Sequence, residues 1–265
     1  MIVIYKEGSR DVAMNKAIQR KVGAPADGKF GPQTTRFVKS WQVAKGLTPD
    51  GLIGPKTLKL MGLTSAVDDL SVKVYTSKQL MKQVKFLDDF EALPKGYWII
   101  GVRNPHDSPD KFDDMFYLMK GEEIVHKTTG TTNPGVKILK GGFRKYNNDG
   151  AAVVEADRIY YDVWKYGKHL GWMPALKQLG ASITVWRDGD MDGKSEQIGK
   201  RTTGWYGINF HTATKSYLGR IIKATIGGWS AGCQVCNNTV EYMEIINTIK
   251  NSKQSNVTYC LLKEF

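Results

Sequence analysis

Asp27-Gly28-Lys29-Phe30-Gly31-Pro32-Gln33-Thr34 returns as Asp50-Gly51-Leu52-Ile53-Gly54-Pro55-Lys56-Thr57, two copies of D-G-x-x-G-P-x-T spaced 23 residues apart. Asp-Gly makes a tight turn in which glycine takes positive φ without steric cost. Gly-Pro-x-Thr opens a helix, because proline suits the first helical turn. Between the copies, Phe37, Val38 and Trp41 form an apolar stripe at helical spacing, and Val12, Ala13, Ala17, Ile18 and Val22 form another upstream. Residues 1–63 therefore read as three short helices joined by two glycine turns.

Working outward, residues 64–71 are small and polar and read as a linker. A helix is predicted over 77–92, with Leu80, Met81, Val84, Leu87 and Leu93 as its apolar positions. From Gly96 the pattern turns to β. The run 97–103 is one strand, 115–119 and 124–129 flank a hairpin turn at Lys120-Gly121-Glu122-Glu123, and 182–186 and 258–262 are further strands. Val240, Met243, Ile246 and Ile249 mark another helix. The expected architecture is α+β in two domains: a helical bundle over 1–63, and over 72–265 a mainly β, sandwich-type domain with a few helices.

At 265 residues the chain has room for one large domain or two smaller ones. Its 41% hydrophobic and 24% charged content excludes a disordered tail, a collagen-like fibre and a disulfide-dense miniprotein. No apolar run approaches the ~20 residues that span a bilayer, so no membrane insertion is expected. Met1–Glu7 lacks the basic start and small-residue cleavage site of a signal peptide, which points to a cytoplasmic location. Three cysteines, Cys233, Cys236 and Cys260, are too few and odd in number for a disulfide framework. The net charge of +12 would attract a polyanion such as nucleic acid, acidic lipid or an anionic wall, and it equally describes a solvated basic surface. No nucleic-acid motif accompanies it, so no nucleic-acid partner is expected.

The densest chemical signal is Gly207-Ile208-Asn209-Phe210-His211 followed by Trp229-Ser230-Ala231-Gly232-Cys233-Gln234-Val235. A thiol nucleophile needs a proton acceptor, and histidine is the usual one near neutral pH. Glycine before the cysteine lets backbone N–H groups approach a developing oxyanion. Cys233 and His211 are 22 residues apart, so only the fold can join them. The alternative is a buried core thiol and a structural imidazole.

Two resemblances follow from these residues. Segment 8–62, with its doubled motif and with Trp41-Gln42 and Gly46-Leu47 between the copies, resembles the small helical peptidoglycan-binding domain of bacterial and phage wall enzymes. Segment 96–265, most sharply 204–236, resembles the catalytic domain of L,D-transpeptidases, which carries a histidine and then S/T-H-G-C. Thr128-Thr129-Gly130 with Pro134-Gly135 resembles a further stretch of that family. The resemblance implies Cys233 as nucleophile, His211 as base, Gly232 in the oxyanion turn and Ser230 at the motif's first position. Trp229, Gln234, His169 and Asn209 are the expected substrate-binding residues. Ala231 replaces the motif's second histidine, Gln234 stands where arginine often follows, and 18 residues separate His211 from Ser230, which marks a divergent branch.

The expected activity is that of an endolysin-like peptidoglycan hydrolase of a bacteriophage. It would cleave stem peptides, as carboxypeptidase or endopeptidase, through a Cys-His thioester. It would collect in the host cytoplasm and reach the wall after membrane permeabilisation. The alternatives are a crosslinking transpeptidase and an inactive wall-binding structural protein. Peptidoglycan is the expected partner, and a monomer is expected.

No cofactor and no metal are assigned. Cys233-x-x-Cys236 lacks the partners of a zinc site, and Cys236 reads as a packing residue able to trap Cys233 in a disulfide. Asp188-Gly189-Asp190-Met191-Asp192-Gly193 begins like a D-x-D-x-D-G calcium loop. Its twelfth position is Gly199 rather than glutamate, so it reads as an acidic turn after a strand. His106 and His126 receive no role. The seven tryptophans suit a carbohydrate platform or an ordinary core.

Overall fold

The structure is a computed structural model that describes residues 5–9, 11–63, 72–105, 110–144, 147–218 and 221–265. The expected linker 64–71 and His106 lie outside the described residues. The chain divides into two compact units, Met1–Leu70 and Ser71–Phe265.

The first unit holds α1 (Val12–Val22), α2 (Pro32–Ala44) and α3 (Pro55–Met61). Asp11 caps α1 by accepting from Met14 N at 3.0 Å, and Gly23 ends it at φ +77°. The two Asp-Gly turns are built alike. Asp27 Oδ1 accepts from Lys29 N and from Gln19 Nε2, while Gln19 Oε1 accepts from Gly28 N at 2.8 Å. Asp50, Gln42 and Gly51 repeat the arrangement at 2.8–2.9 Å. These bonds, led by the backbone N–H of Lys29 and of Leu52, hold both aspartates below the usual carboxylate range. Gly28 and Gly51 sit at φ +82° and +75°, and a Cβ on either would meet α1 or α2 within 3 Å. Ile18, Phe30, Val38, Ile53, Leu58 and Met61 form the core. Val12 and Phe37, expected on the apolar stripes, face solvent instead.

The second unit begins with α4 (Ser77–Lys85), capped by a Thr76–Gln79 box. It ends seven residues before the predicted Ala92. Asp89 Oδ2 accepts from Ile159 N, and Tyr161 Oη accepts from Glu91 N, so the chain past Phe86 is tied to a strand rather than to the helix. Eleven strands follow among the described residues: β1 (Tyr97–Arg103), β2 (Asp114–Lys120), β3 (Glu123–Thr131), β4 (Ala151–Val154), β5 (Arg158–His169), β6 (Met173–Gln178), β7 (Ile183–Asp188), β8 (Lys200–Gly204), β9 (Phe210–Thr212), β10 (Gln234–Cys236) and β11 (Val257–Lys263). α5 (Thr239–Ser252) lies between β10 and β11, and a π-turn occupies Ile138–Gly142.

Eight strands close a barrel in the order β1-β11-β5-β6-β9-β10-β3-β2, and β4-β7-β8 form a separate sheet. The mainly β unit with a few helices agrees with the sequence reading. Pairing of β1 with both β11 and β2 joins along their edges what an open sandwich would leave as separate sheets. Inside the barrel lie Ile99, Phe116, Leu118, Trp164, Phe210 and Tyr259, packed with Tyr242, Ile245, Ile246 and Ile249 of α5. The alternate residues Trp98, Ile100, Tyr117, Met119, Cys260 and Leu262 pack with Leu80, Met81 and Val84 of α4. β1 is therefore buried on both faces.

Candidate active site

β9 and β10 run parallel with Phe210 opposite Gln234 and His211 opposite Val235. Parallel partners share a face and neighbours along a strand alternate. Phe210 and Cys236 point into the barrel core. His211 and Val235 therefore point out of it, and Asn209 and Cys233 fall on that same outer face. Two residues 22 apart in sequence become diagonal neighbours on one sheet surface. Cys233, just before β10, and Cys236, at its end, fall on opposite faces, so the disulfide considered from spacing does not form without unmaking β10. All three cysteines are free thiols.

The turn before Cys233 is tightly specified. Gly232 has φ +135°, and a Cβ there would lie 2.5 Å from Ala152 O and 2.9 Å from Ile208 Cδ1. Buried Ser230 accepts from Gly232 N and donates its hydroxyl to Cys233 O at 2.8 Å. Ala231 O accepts from Ala152 N, and Ser230 O from Gly135 N at 2.9 Å. Gln234, expected at the substrate, is fully buried. Its Nε2 donates to Gly232 O at 3.1 Å and its Oε1 accepts from Tyr259 Oη, so it braces the turn from inside the barrel.

The Cys233 thiol donates to Gly207 O at 3.6 Å and accepts from Asn209 N at 3.5 Å. Burial pushes it up to about 11, although the side chain keeps a partial opening to a groove. Gln178, which sequence reading did not single out, fixes the segment that carries Gly207. Its Oε1 accepts from Tyr206 N and Ile208 N, and its Nε2 donates to Gly204 O.

His211 is fully buried. Its Nδ1 lies 2.9 Å from Thr212 O, a pure acceptor, so Nδ1 carries the proton and Nε2 is a bare lone pair. No group bonds that Nε2. Burial first, then the nearby His169, lowers the pKa to about 3, so the ring is a neutral acceptor throughout the ordinary pH range. His169, at the end of β5, stacks on His211 at 4.2 Å and 11° and shields it. Asn209, expected at the substrate, is buried with its amide committed: Nδ2 donates to His169 Nδ1 at 3.0 Å and Oδ1 accepts from Gln178 N. It positions His169 rather than facing a ligand.

The groove at Cys233 has a volume of about 290 Å³ and is also lined by Gly207, Ala231, Tyr206 and Arg187. Arg187 is buried on β7 with its guanidinium 4.5 Å from the Tyr206 ring centroid. It lines the same groove as Cys233 and brings a positive charge to it, and no sequence motif marked it. Trp229 is half-buried on the cluster of Phe112, Ala213, Ile226 and Val235, against which Cys233 also packs. His126 bonds Thr248 Oγ1 on α5, away from this constellation.

Residues 16–61 match the profile of a family described as "Putative peptidoglycan binding domain". An uncharacterized protein in the bpoA1 3' region of Kitasatospora aureofaciens is 47% identical over 36 residues, which are 14% of this chain. That match spans 30% of the relative's length. Among solved structures, a fused Zn-dependent amidase/peptidase/peptidoglycan-binding domain-containing protein from Clostridium acetobutylicum aligns at TM-score 0.31 with 15% identity, covering 98% of this chain and 100% of that one. An L,D-transpeptidase from Xylanimonas cellulosilytica aligns at TM-score 0.26 with 14% identity, covering 97% and 94%.

Proposed function

We propose that the protein is a peptidoglycan hydrolase whose first unit holds the wall while Cys233 attacks a carbonyl of the stem peptide. The family profile over residues 16–61 supports the substrate. The observation that carries the chemistry is the bare Nε2 of His211 on the same sheet face as the partly open Cys233 thiol. As sulfur adds to the carbonyl, its proton leaves Gly207 O for His211 Nε2. The imidazolium returns that proton to the departing amine, leaving a thioester on Cys233. Water then adds, giving a proton to His211. Collapse releases the carboxylic acid and restores the thiol. An amine in place of water would form a crosslink. Arg187 suits a free carboxylate of the stem peptide. An endolysin-like role in phage release is the biological setting we propose for this chemistry.

Mass spectrometry of digested muropeptides tests the reading and identifies the bond. Wild-type protein yields new stem-peptide products. His211→Gln loses about 10²–10⁴ in rate, the range for a general base. Arg187→Met raises KM about tenfold or more while kcat changes less, provided the substrate carboxylate pairs with it. Full activity in His211→Gln contradicts the assignment.

A further inference from the structure

The end of the β5–β6 hairpin delivers His169 to the base. Register pairs His169 with Met173, Trp172 N donates to His169 O at 3.3 Å, and Leu170 and Gly171 make the turn at φ +52° and +82°. His169 is half-buried, its ring centroid 4.2 Å from that of His211 and the two planes 11° apart. The state of the ring follows from its partners. Gln178 N is a donor, so the oxygen of the Asn209 amide faces it at 3.0 Å and the nitrogen of that amide faces His169. Asn209 Nδ2 then donates to His169 Nδ1 at 3.0 Å, which makes Nδ1 an acceptor and leaves the proton on Nε2. A second proton, on Nδ1, would set two N–H groups against each other. Burial first, then the charge of Lys177 on β6, also opposes it and holds His169 below the usual histidine value.

We propose that His169 is a positioning residue for the reaction: a neutral ring laid flat on His211 that stabilises the positive charge the base acquires, with Asn209 and Gln178 holding that ring neutral. The inference rests on the reading of Cys233 as nucleophile and His211 as base. When the thiol proton passes to His211 Nε2, an N–H bond replaces the S–H bond and the imidazole becomes a cation; His169 exchanges no proton. His211 is fully buried, and among the described residues no carboxylate bonds it. The charge therefore needs another source of stabilisation. The face of a neutral aromatic ring attracts a cation, most strongly where water is excluded. Asn209 serves sulfur and base at once: its backbone N donates to Cys233 Sγ, and its side chain sets the state of His169.

A charge on His169 would have the opposite effect, since two cations stacked at this distance repel. The charged groups that reach His169 are Lys177 from β6 and, once protonated, His211 from β9, and both oppose a charge on it. Asn209→Asp reverses that balance with little change of shape. Its carboxylate accepts from Gln178 N as the amide does, and it accepts as well from a protonated His169 Nδ1. His169 then titrates above the usual histidine value and, wherever it is charged, hinders proton uptake by His211.

The test combines muropeptide release by the full-length protein across about pH 5 to 9 with nitrogen NMR of its histidine side chains. In the wild type, NMR is expected to find opposite tautomers in the stacked pair, the proton on Nε2 of His169 and on Nδ1 of His211. His169→Leu is expected to lose about tenfold in kcat with KM little changed, the order of a desolvated cation–π contact. His169→Phe, which keeps a ring without a titratable nitrogen, recovers most of that loss. Asn209→Asp acquires an acid limb at or above the ordinary histidine value of about 6.5, following the titration of His169 seen by NMR, and His169→Phe/Asn209→Asp loses that limb. The inference is overturned by His169→Leu with the kcat of the parent, by His169→Phe no better than His169→Leu, or by an acid limb that persists in the double variant. Any of these beside an inactive Cys233→Ala overturns this inference alone, whereas Cys233→Ala with the activity of the parent overturns the reading of the site with it.

Discussion

At the scale of the residue, the Cys233 thiol and the His211 imidazole are both neutral at rest, one with its proton on Gly207 O and the other with an empty Nε2. This differs from a preformed thiolate–imidazolium pair and gives a distinct pH signature. With the thiol near 11, alkylation of Cys233 by iodoacetamide climbs about tenfold per pH unit between 7 and 10, whereas a thiolate pair would react at a rate flat in that range. Cys236 and Cys260 are buried and stay unlabelled until the chain unfolds. Hydrolysis, which needs only neutral imidazole and thiol, holds a plateau from about pH 5 to 9, because His211 takes a proton only near 3. An acid limb centred at 6.5 would show that burial does not hold the His211 ring neutral in this range. Gly232→Ala combines a positive-φ penalty with a 2.5 Å approach to Ala152 O and is expected to cost about 2–4 kcal/mol in urea unfolding. Cys233, His211, Gly232 and Ser230 were legible as candidates because their residue types and order carry the signal. Gln234 and Asn209 were misread as ligand contacts because nearness to the nucleophile in sequence says nothing about which sheet face a side chain takes. Arg187 gains its meaning only once β7 is folded beside the groove.

At the scale of the element, turn chemistry was the most readable part. The D-G-x-x-G-P repeat fixed two turns and two helix starts, since each step depends on neighbours within a few residues. The glutamine that locks each turn was not read, because Gln19 and Gln42 stand eight residues before their aspartates and on another element. Gln19→Ala and Gln42→Ala should each lower the stability of the first unit by about 1–3 kcal/mol, by leaving a buried glycine N–H unpaired. Hydrogen exchange on α1 and α2 would report it as faster opening, and unchanged exchange would remove the glutamines from the account. The predicted helix over 77–92 shows the opposite case. Its apolar spacing continues, but Asp89 and the backbone of Glu91 bond β5 residues, and tertiary partners end the helix at Lys85.

At the scale of the whole molecule, two units with separate cores are what the proposed division of labour, one holding a wall and one cutting it, requires. Composition and strand patterning announced a helical unit followed by a β unit. They could not announce closure, because the order of strands in a barrel depends on pairings across more than a hundred residues, such as β1 with β11. That closure places β9 beside β10 and so creates the site. The claim that sulfur is the nucleophile is tested most directly by trapping the intermediate. Protein mixed with purified peptidoglycan, quenched in acid within the first turnovers and digested for mass spectrometry, should carry a stem-peptide acyl group on the fragment containing Cys233, with none in Cys233→Ala. Wall digestion by Cys233→Ala at the rate of the parent, with no adduct on either protein, would contradict the account.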